Sequence, residues 1–106
     1  MDLTAANAVR TAQSLVHLFK EDSVRVQAVG RSASTVLRVF NALCARPITT
    51  INDIGQRAGL SFPAATKGIE KLVDLGIVKE RTGGRRNRVF AYDRYLALLN
   101  EGTEPL

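Results

Sequence analysis

Residues 50–78 read TINDIGQRAGLSFPAATKGIEKLVDLGIV, and this segment decides the fold of the 106-residue chain. Apolar residues recur at helical spacing in both of its halves, which predicts two short amphipathic helices. Gly59 ends the first helix, because glycine takes the left-handed backbone conformation that a helix C-terminus often needs. Ser61 can cap the second helix, and Pro63 suits its first turn, where a missing N–H costs nothing. Two helices joined by a short glycine-containing turn form a helix-turn-helix.

The second of these helices carries an apolar side that we expect to face the core, formed by Ala65, Ile69, Leu72 and Val73. Gly68 lies in its interior, where glycine is about 1 kcal/mol less favourable than alanine. This glycine is explained only if another group approaches its backbone closely, and the sequence does not show which group that is.

Two further helices are predicted before this segment. Residues 3–25 form one long helix, in which apolar residues follow steps of three and four. A second helix begins near Ser32 or Ser34 and ends before Pro47, because the residue preceding a proline leaves the helical region. Residues 48–50 then form a short β-like link to the helix-turn-helix.

A β-hairpin and a last helix are predicted after it. Two β-prone runs, 77–81 and 87–92, lie on either side of a loop that contains Gly83 and Gly84. Asp93 caps a short final helix. The predicted fold class is therefore mainly α with a small β-hairpin, a winged helix-turn-helix preceded by a long N-terminal helix.

The long first helix has a broader apolar stripe than a solitary surface helix needs, made of Ala5, Val9, Ala12, Leu15, Val16, Leu18 and Phe19. It must pack on this domain, on a second copy of the chain, or on a neighbouring domain. We expect residues 1–28 to form a linker or dimerisation helix, residues 31–100 the winged helix-turn-helix domain, and residues 101–106 a polar tail.

Several classes of protein are disfavoured by composition. The chain has no run of about 18 apolar residues that would span a membrane, and its start at Met1-Asp2 lacks a signal-peptide pattern. A single cysteine, Cys44, excludes an internal disulfide and is expected to be a buried structural thiol. The lone His17 has no partner ligands at metal spacing. We expect a cytoplasmic protein with no metal and no cofactor.

The net charge of +5 is concentrated in two places. Residues 31–60 carry four arginines against Asp53, and residues 81–95 carry five arginines against Asp93. Clustered arginines attract phosphate backbones, which predicts double-stranded DNA as the partner. A solvated basic loop that only keeps the chain soluble remains an alternative.

The candidate DNA-binding residues fall on the second helix and on the hairpin, or wing. In a helix-turn-helix the second helix enters the major groove with its N-terminal residues facing base edges. The candidates there are Ser61, Pro63, Thr66, Lys67 and Lys71, a set without the Arg, Asn or Gln that makes bidentate base contacts. The wing candidates, expected on phosphates or in a minor groove, are Arg81, Arg85, Arg86 and Arg88.

These segments resemble the C-terminal winged-helix module of Fic-family proteins, a family named for filamentation induced by cyclic AMP. The similarity is carried by LSFPAATK at 60–67, IEKLVDLGIV at 69–78 and TGGRRNRVFAYDRYL at 82–96, with LFKED at 18–22 leading to Gly30-Arg31. It covers most of the chain. A more distant similarity to MarR-type repressors covers only the helix-turn-helix and the wing.

The Fic resemblance implies an accessory, regulatory domain and not an enzyme. Fic enzymes transfer AMP or a related group with a His-Pro-Phe segment and a Gly-Asn-Gly-Arg loop, and neither occurs here, since His17 is followed by Leu18 and Phe19. The resemblance also implies that residues 3–25 pack on a Fic catalytic domain, with a homodimer as the other possibility. The alternative function is a protein-interaction or dimerisation module of winged-helix shape without a nucleic-acid ligand.

Overall fold

The computed structural model describes residues 3–81 and 88–103. Over these residues the chain forms five helices and three strands. The helices are α1 (Leu3–Gln27), α2 (Ala33–Ala45), α3 (Ile51–Ala58), α4 (Phe62–Asp74) and α5 (Asp93–Thr103). The strands are β1 (Ile48–Thr50), β2 (Lys79–Glu80) and β3 (Val89–Ala91). The predicted fold class, mainly helical with a small β element, is confirmed.

The β element has one more strand than the predicted hairpin. The strand order is β1-β3-β2, and both pairings are antiparallel. Ala91 lies opposite Ile48 on one side and opposite Lys79 on the other. The predicted link at residues 48–50 is thus an outer strand, which joins the wing to the start of α3. The predicted hairpin loop at 82–87 lies outside the described residues.

The end of α3 and the start of α4 lie where Gly59, Ser61 and Pro63 predict them, and α3 also has a capping residue at its start. The Thr50 hydroxyl accepts a hydrogen bond from the Asp53 amide at the start of α3 (3.2 Å). Gly59 follows α3 with a φ of 68°, in the left-handed region that favours glycine. Ser61 Oγ accepts from the Ala64 amide at 3.3 Å, and Pro63 lies in the first turn of α4.

The core lies between α1, α2, α3, α4 and the sheet. Its largest fully buried side chains include Phe40, Leu43, Ile54, Ile69, Leu72, Phe90 and Tyr92. The prediction that Val73 joins this core is wrong, because 38% of the residue is exposed. Val73 follows Leu72 by one residue, and about 100° of rotation on the helix takes it out of the apolar side.

The apolar stripe predicted for α1 is only partly buried: Leu18 is in the core and Phe19 packs against it, but the prediction is wrong for Val9 and Val16. Val9 and Val16 are 58% and 67% exposed, whereas Leu18, Asp22 and Val26, at steps of four residues, are buried. The helix packs on α2 and α5 through the side that carries Leu18, Asp22 and Val26. Because Asp22, at the centre of this side, is polar, the spacing of apolar residues does not identify the side as buried.

Asp22 attaches α1 to the rest of the fold. Its side chain is fully buried, and Tyr92 Oη donates a hydrogen bond to its Oδ2 at 2.5 Å. Arg25 Nη1 lies 3.3 Å and Arg94 Nη1 3.6 Å from its Oδ1. Burial, and then the hydrogen bond to the Asp22 carboxylate, raise the pKa of Tyr92, so its hydroxyl remains a donor. This contact joins residues 70 apart in the sequence.

None of the described helices is both long enough and apolar enough to cross a bilayer.

Gly68 lies at the contact between α4 and α2, which answers the question that the sequence leaves open. A Cβ atom at this position would lie 2.6 Å from Val39 Cγ2 and 3.3 Å from Val39 Cβ. Val39 is fully buried and, being β-branched, has little rotamer freedom. Gly68 is therefore needed for the close approach of the two helices.

We predict that Gly68→Ala destabilises the fold although it improves helix propensity. The propensity gain is about 1 kcal/mol, and overpacking a core typically costs about 1–3 kcal/mol. Because Val39 cannot move away readily, we expect a net loss in the free energy of unfolding, measured by urea titration with circular dichroism.

A double-mutant cycle with Val39→Ala provides the control. Val39→Ala alone leaves a cavity, but in the Gly68→Ala background the new methyl group partly fills it, so the second substitution should cost less there. A Gly68→Ala variant more stable than the wild type, or strictly additive losses, would contradict the contact.

Candidate nucleic-acid interface

The first turn of α4 is exposed and contains no acidic residue. Ser61, Phe62 and Pro63 are all exposed, and Phe62 keeps 58% of its surface in contact with solvent. Behind this turn, Ala65, Ile69 and Leu72 are buried and Gly68 abuts α2. The core thus fixes α4 by one side and leaves its N-terminus accessible, as insertion into a groove requires.

Thr66 presents its methyl group more than its hydroxyl. The half-buried side chain donates its hydroxyl proton to the carbonyl oxygen of Phe62, at 2.8 Å. This is the hydrogen bond that a threonine in a helix commonly donates to the carbonyl oxygen four residues before it. A base-edge hydrogen bond from Thr66, one of the contacts the sequence suggests, would compete with this bond.

The outer side of α4 carries both signs of charge. Lys67 and Lys71 are exposed and form no ion pair with another described residue, but Glu70 and Asp74 are exposed on the same helix. The two lysines lie one turn apart and can reach phosphates or base edges, while the two carboxylates oppose a close approach of the C-terminal half to a polyanion. The charge distribution of α4 is thus most favourable to an anion near its N-terminus.

Both wing arginines that the structure describes are paired with carboxylates. Arg88 makes a two-point contact with Glu80, with Nε 3.1 Å from Oε2 and Nη2 2.9 Å from Oε1, and its guanidinium lies 5.1 Å from the centre of the Phe90 ring. Arg81 Nη2 lies 2.7 Å from Asp93 Oδ1. These pairs tie β2 to β3 and to α5 at the base of the wing. Arg85 and Arg86, the other two wing candidates, lie outside the described residues.

Most arginines of the first basic segment are also engaged within the protein. Arg38 donates to the carbonyl oxygens of Ala58 and Gly59 at the end of α3. Asp53 Oδ2 lies 3.0 Å from Arg57 Nε and 3.8 Å from Arg46 Nη1. The count of charges in the sequence therefore overstates the number of guanidinium groups that are free to bind phosphate.

Asp53 is the acceptor at the centre of this network. The Thr49 hydroxyl donates to its Oδ2 at 2.6 Å, and this bond, followed by the hydrogen bond and charge of Arg57 and the charge of Arg46, lowers the pKa of Asp53 below its usual value. The carboxylate thus stays charged and joins β1 to the first turn of α3.

Phe62 is missing from the candidates drawn from the sequence. It borders a shallow depression of about 310 Å³ between α3 and α4 whose other lining residues are Ile51, Asn52, Gly55, Gln56 and Leu60. Periodicity alone does not reveal its exposure: Phe62 precedes Ala65 by three residues and Ile69 by seven, which places it on the apolar side of α4. It is exposed because it is the first residue of the helix, before the part of that side that the core covers.

Cys44 has the environment of a structural thiol. It packs against the core, and burial, together with the nearby charge of Asp22, raises its pKa to about 12. The reactive thiolate is therefore disfavoured at neutral pH. Among the described residues, no group of three or more His, Cys, Asp or Glu side chains could hold a metal ion.

Comparison with known proteins finds solved structures with a similar fold. No protein-family model and no curated protein sequence matches the chain. A MarR family transcriptional regulator from Silicibacter pomeroyi has a TM-score of 0.54 and 16% identity; the match covers 84% of this chain but only 60% of the regulator. A mutant MarR from E. coli complexed with operator DNA, also 16% identical, has a TM-score of 0.47 over 96% of this chain and 76% of that one.

The resemblance to the Fic family is wrong. The solved structure with a TM-score of 0.54 is a MarR family regulator and not a Fic protein, and no family model supports a Fic origin. The similarity to the first regulator extends over 84% of the chain, well beyond the helix-turn-helix and wing. Short segments such as 60–67 follow from the capping and packing needs of a winged helix, so they do not distinguish one winged-helix family from another. At 16% identity the comparison shows the fold.

Proposed function

We propose that this chain is a DNA-binding winged-helix module with a regulatory role in transcription. The observation that carries the proposal is the first turn of α4, which is exposed, free of acidic residues and held from behind by the core. The net charge of +5 supports a polyanionic partner. The shared fold with a transcriptional regulator is consistent with this role.

In the proposed complex α4 enters the major groove by its N-terminus. Ser61, Pro63 and Thr66 face the bases, and Lys67 and Lys71 reach phosphates or base edges. Arg81, Arg85, Arg86 and Arg88 remain the proposed wing contacts. Arg81 and Arg88 would have to share their guanidinium groups between DNA and the carboxylates of Asp93 and Glu80. The proposal assigns binding to this chain and no catalytic step.

We predict salt-dependent binding to a generic duplex, measured by fluorescence polarisation over a series of salt concentrations. If about four phosphates are neutralised, log K should fall with log salt at a slope of about −4. Lys67→Ala and Lys71→Ala should each weaken binding on all sequences and reduce the slope by about 1. Arg85→Ala/Arg86→Ala tests the wing in the same assay.

Lys20→Ala is the matched control, because Lys20 is an exposed lysine on α1, away from the helix-turn-helix. It should leave affinity and slope close to those of the wild type. A slope near zero, or equal losses for Lys20→Ala and Lys67→Ala, would contradict a specific role for α4.

A second candidate function is association through α1, and one observation favours it. Val9, Val16 and Val24 are 58%, 67% and 61% exposed on the side of α1 that does not contact α2 or α5. We propose that residues 3–25 pair with α1 of a second copy, so that 1–28 serve dimerisation and 31–100 the winged helix. The mixed charge of α4 and the paired wing arginines are the features that favour a purely protein-binding module.

We predict that Val16→Glu converts a dimer into a monomer without loss of helical content. A charge placed among the exposed valines of α1 would be buried at the pairing surface. Sedimentation velocity gives the oligomeric state, and Val73→Glu, at an exposed valine of α4, is the control. A point variant is preferred to removal of residues 1–28, because Leu18, Asp22 and Val26 belong to the core. A monomeric wild type, or a Val16→Glu variant that remains dimeric, would reject the pairing.

A further inference from the structure

We infer that Phe62 reads thymine methyl groups in the major groove, so that the module prefers duplexes rich in A·T pairs. This inference rests on the proposed function and specifies the DNA that the module favours. It concerns the first turn of α4, where Phe62, Pro63 and Thr66 lie together.

Phe62 is unusual among the phenylalanines of the chain. Phe40 and Phe90 are 2% and 0% exposed, and Phe19 is half-buried against Tyr92 and Tyr95, whereas Phe62 is 58% exposed. It is the first residue of α4, directly after the capping Ser61. An aromatic ring at that position contributes little to the core, and it is available to a partner that covers the helix N-terminus.

Both hydroxyl groups near this turn already form one hydrogen bond within the helix. The Thr66 hydroxyl donates to the Phe62 carbonyl, and the Ser61 oxygen accepts from the Ala64 amide. The groups left for a ligand are mainly apolar: the rings of Phe62 and Pro63, and the methyl group of Thr66. This turn is better suited to contact methyl groups than to form base-edge hydrogen bonds.

The charges around this apolar turn favour DNA over an apolar protein surface. No acidic residue lies in the first turn, the helix N-terminus carries a partial positive charge, and Lys67 and Lys71 follow one and two turns later. A ligand that suits both features presents methyl groups between negative charges. The major groove does so where thymine C5-methyl groups lie between the two phosphate backbones.

A pair of duplexes that differ only in the methyl group tests the inference. One is an alternating dA-dT duplex, and the other has deoxyuridine in place of every thymidine. Burial of a methyl group is worth about fourfold in affinity, so the wild type should bind the thymine duplex at least about fourfold more tightly. Phe62→Ala should bind the two duplexes with nearly equal affinity. Dissociation constants come from fluorescence polarisation at one salt concentration.

Val73→Ala is the matched control, since it removes an exposed apolar side chain from the other end of α4 and should keep the discrimination. A second comparison places the C5-methyl group on another base: 5-methylcytosine replaces cytosine in an alternating dG-dC duplex. This replacement should strengthen binding by the wild type and should not strengthen binding by Phe62→Ala. Circular dichroism confirms that Phe62→Ala is folded, as its exposure leads us to expect.

The outcomes distinguish this inference from the function on which it rests. Equal binding of the thymine and deoxyuridine duplexes by the wild type, or full discrimination by Phe62→Ala, overturns the role of Phe62 and leaves DNA binding intact. A failure to bind any of the four duplexes overturns the proposed function and this inference with it.

Discussion

The close contact between α2 and α4 at Gly68 is the constraint on which the rest of the structure depends. With no side chain at Gly68, α4 lies directly against the fully buried Val39. Ala65, Ile69 and Leu72 then reach the core on either side of this point, and the opposite side of α4 is left free. Gly68 lowers the helix propensity of α4, but it allows the close packing of α4 on α2. This packing leaves the N-terminus of α4 accessible.

Local features of the fold could be predicted from the sequence because they are determined within a few residues. Ser61, Pro63 and Gly59 set the ends of α3 and α4 through capping and backbone conformation. Only part of the buried side of α1, Leu18 and Phe19, could be predicted in this way. Its buried side is centred on Asp22, whose burial is compensated by the hydrogen bond from Tyr92, 70 residues away, and by the charges of Arg25 and Arg94. The third strand likewise depends on a pairing between distant segments.

The candidate site was predictable in outline but not in its chemistry. The sequence places basic residues near a helix-turn-helix, yet Arg38, Arg57, Arg81 and Arg88 are held by carbonyl or carboxylate oxygens of the same chain. These contacts position α3 and the base of the wing. What remains exposed at the N-terminus of α4 is an apolar turn next to two lysines, a combination that a count of charges does not reveal. In the proposed function, the module would contact DNA through a few basic groups together with shape and methyl contacts.

Amide chemical-shift mapping by NMR, during titration of the isotopically labelled protein with a generic duplex, tests the central claim most directly. The account predicts that the largest changes fall on residues 61–67, the first turns of α4, with smaller changes at the start of α3. Changes confined to the exposed side of α1, or no changes at saturating duplex, would contradict it.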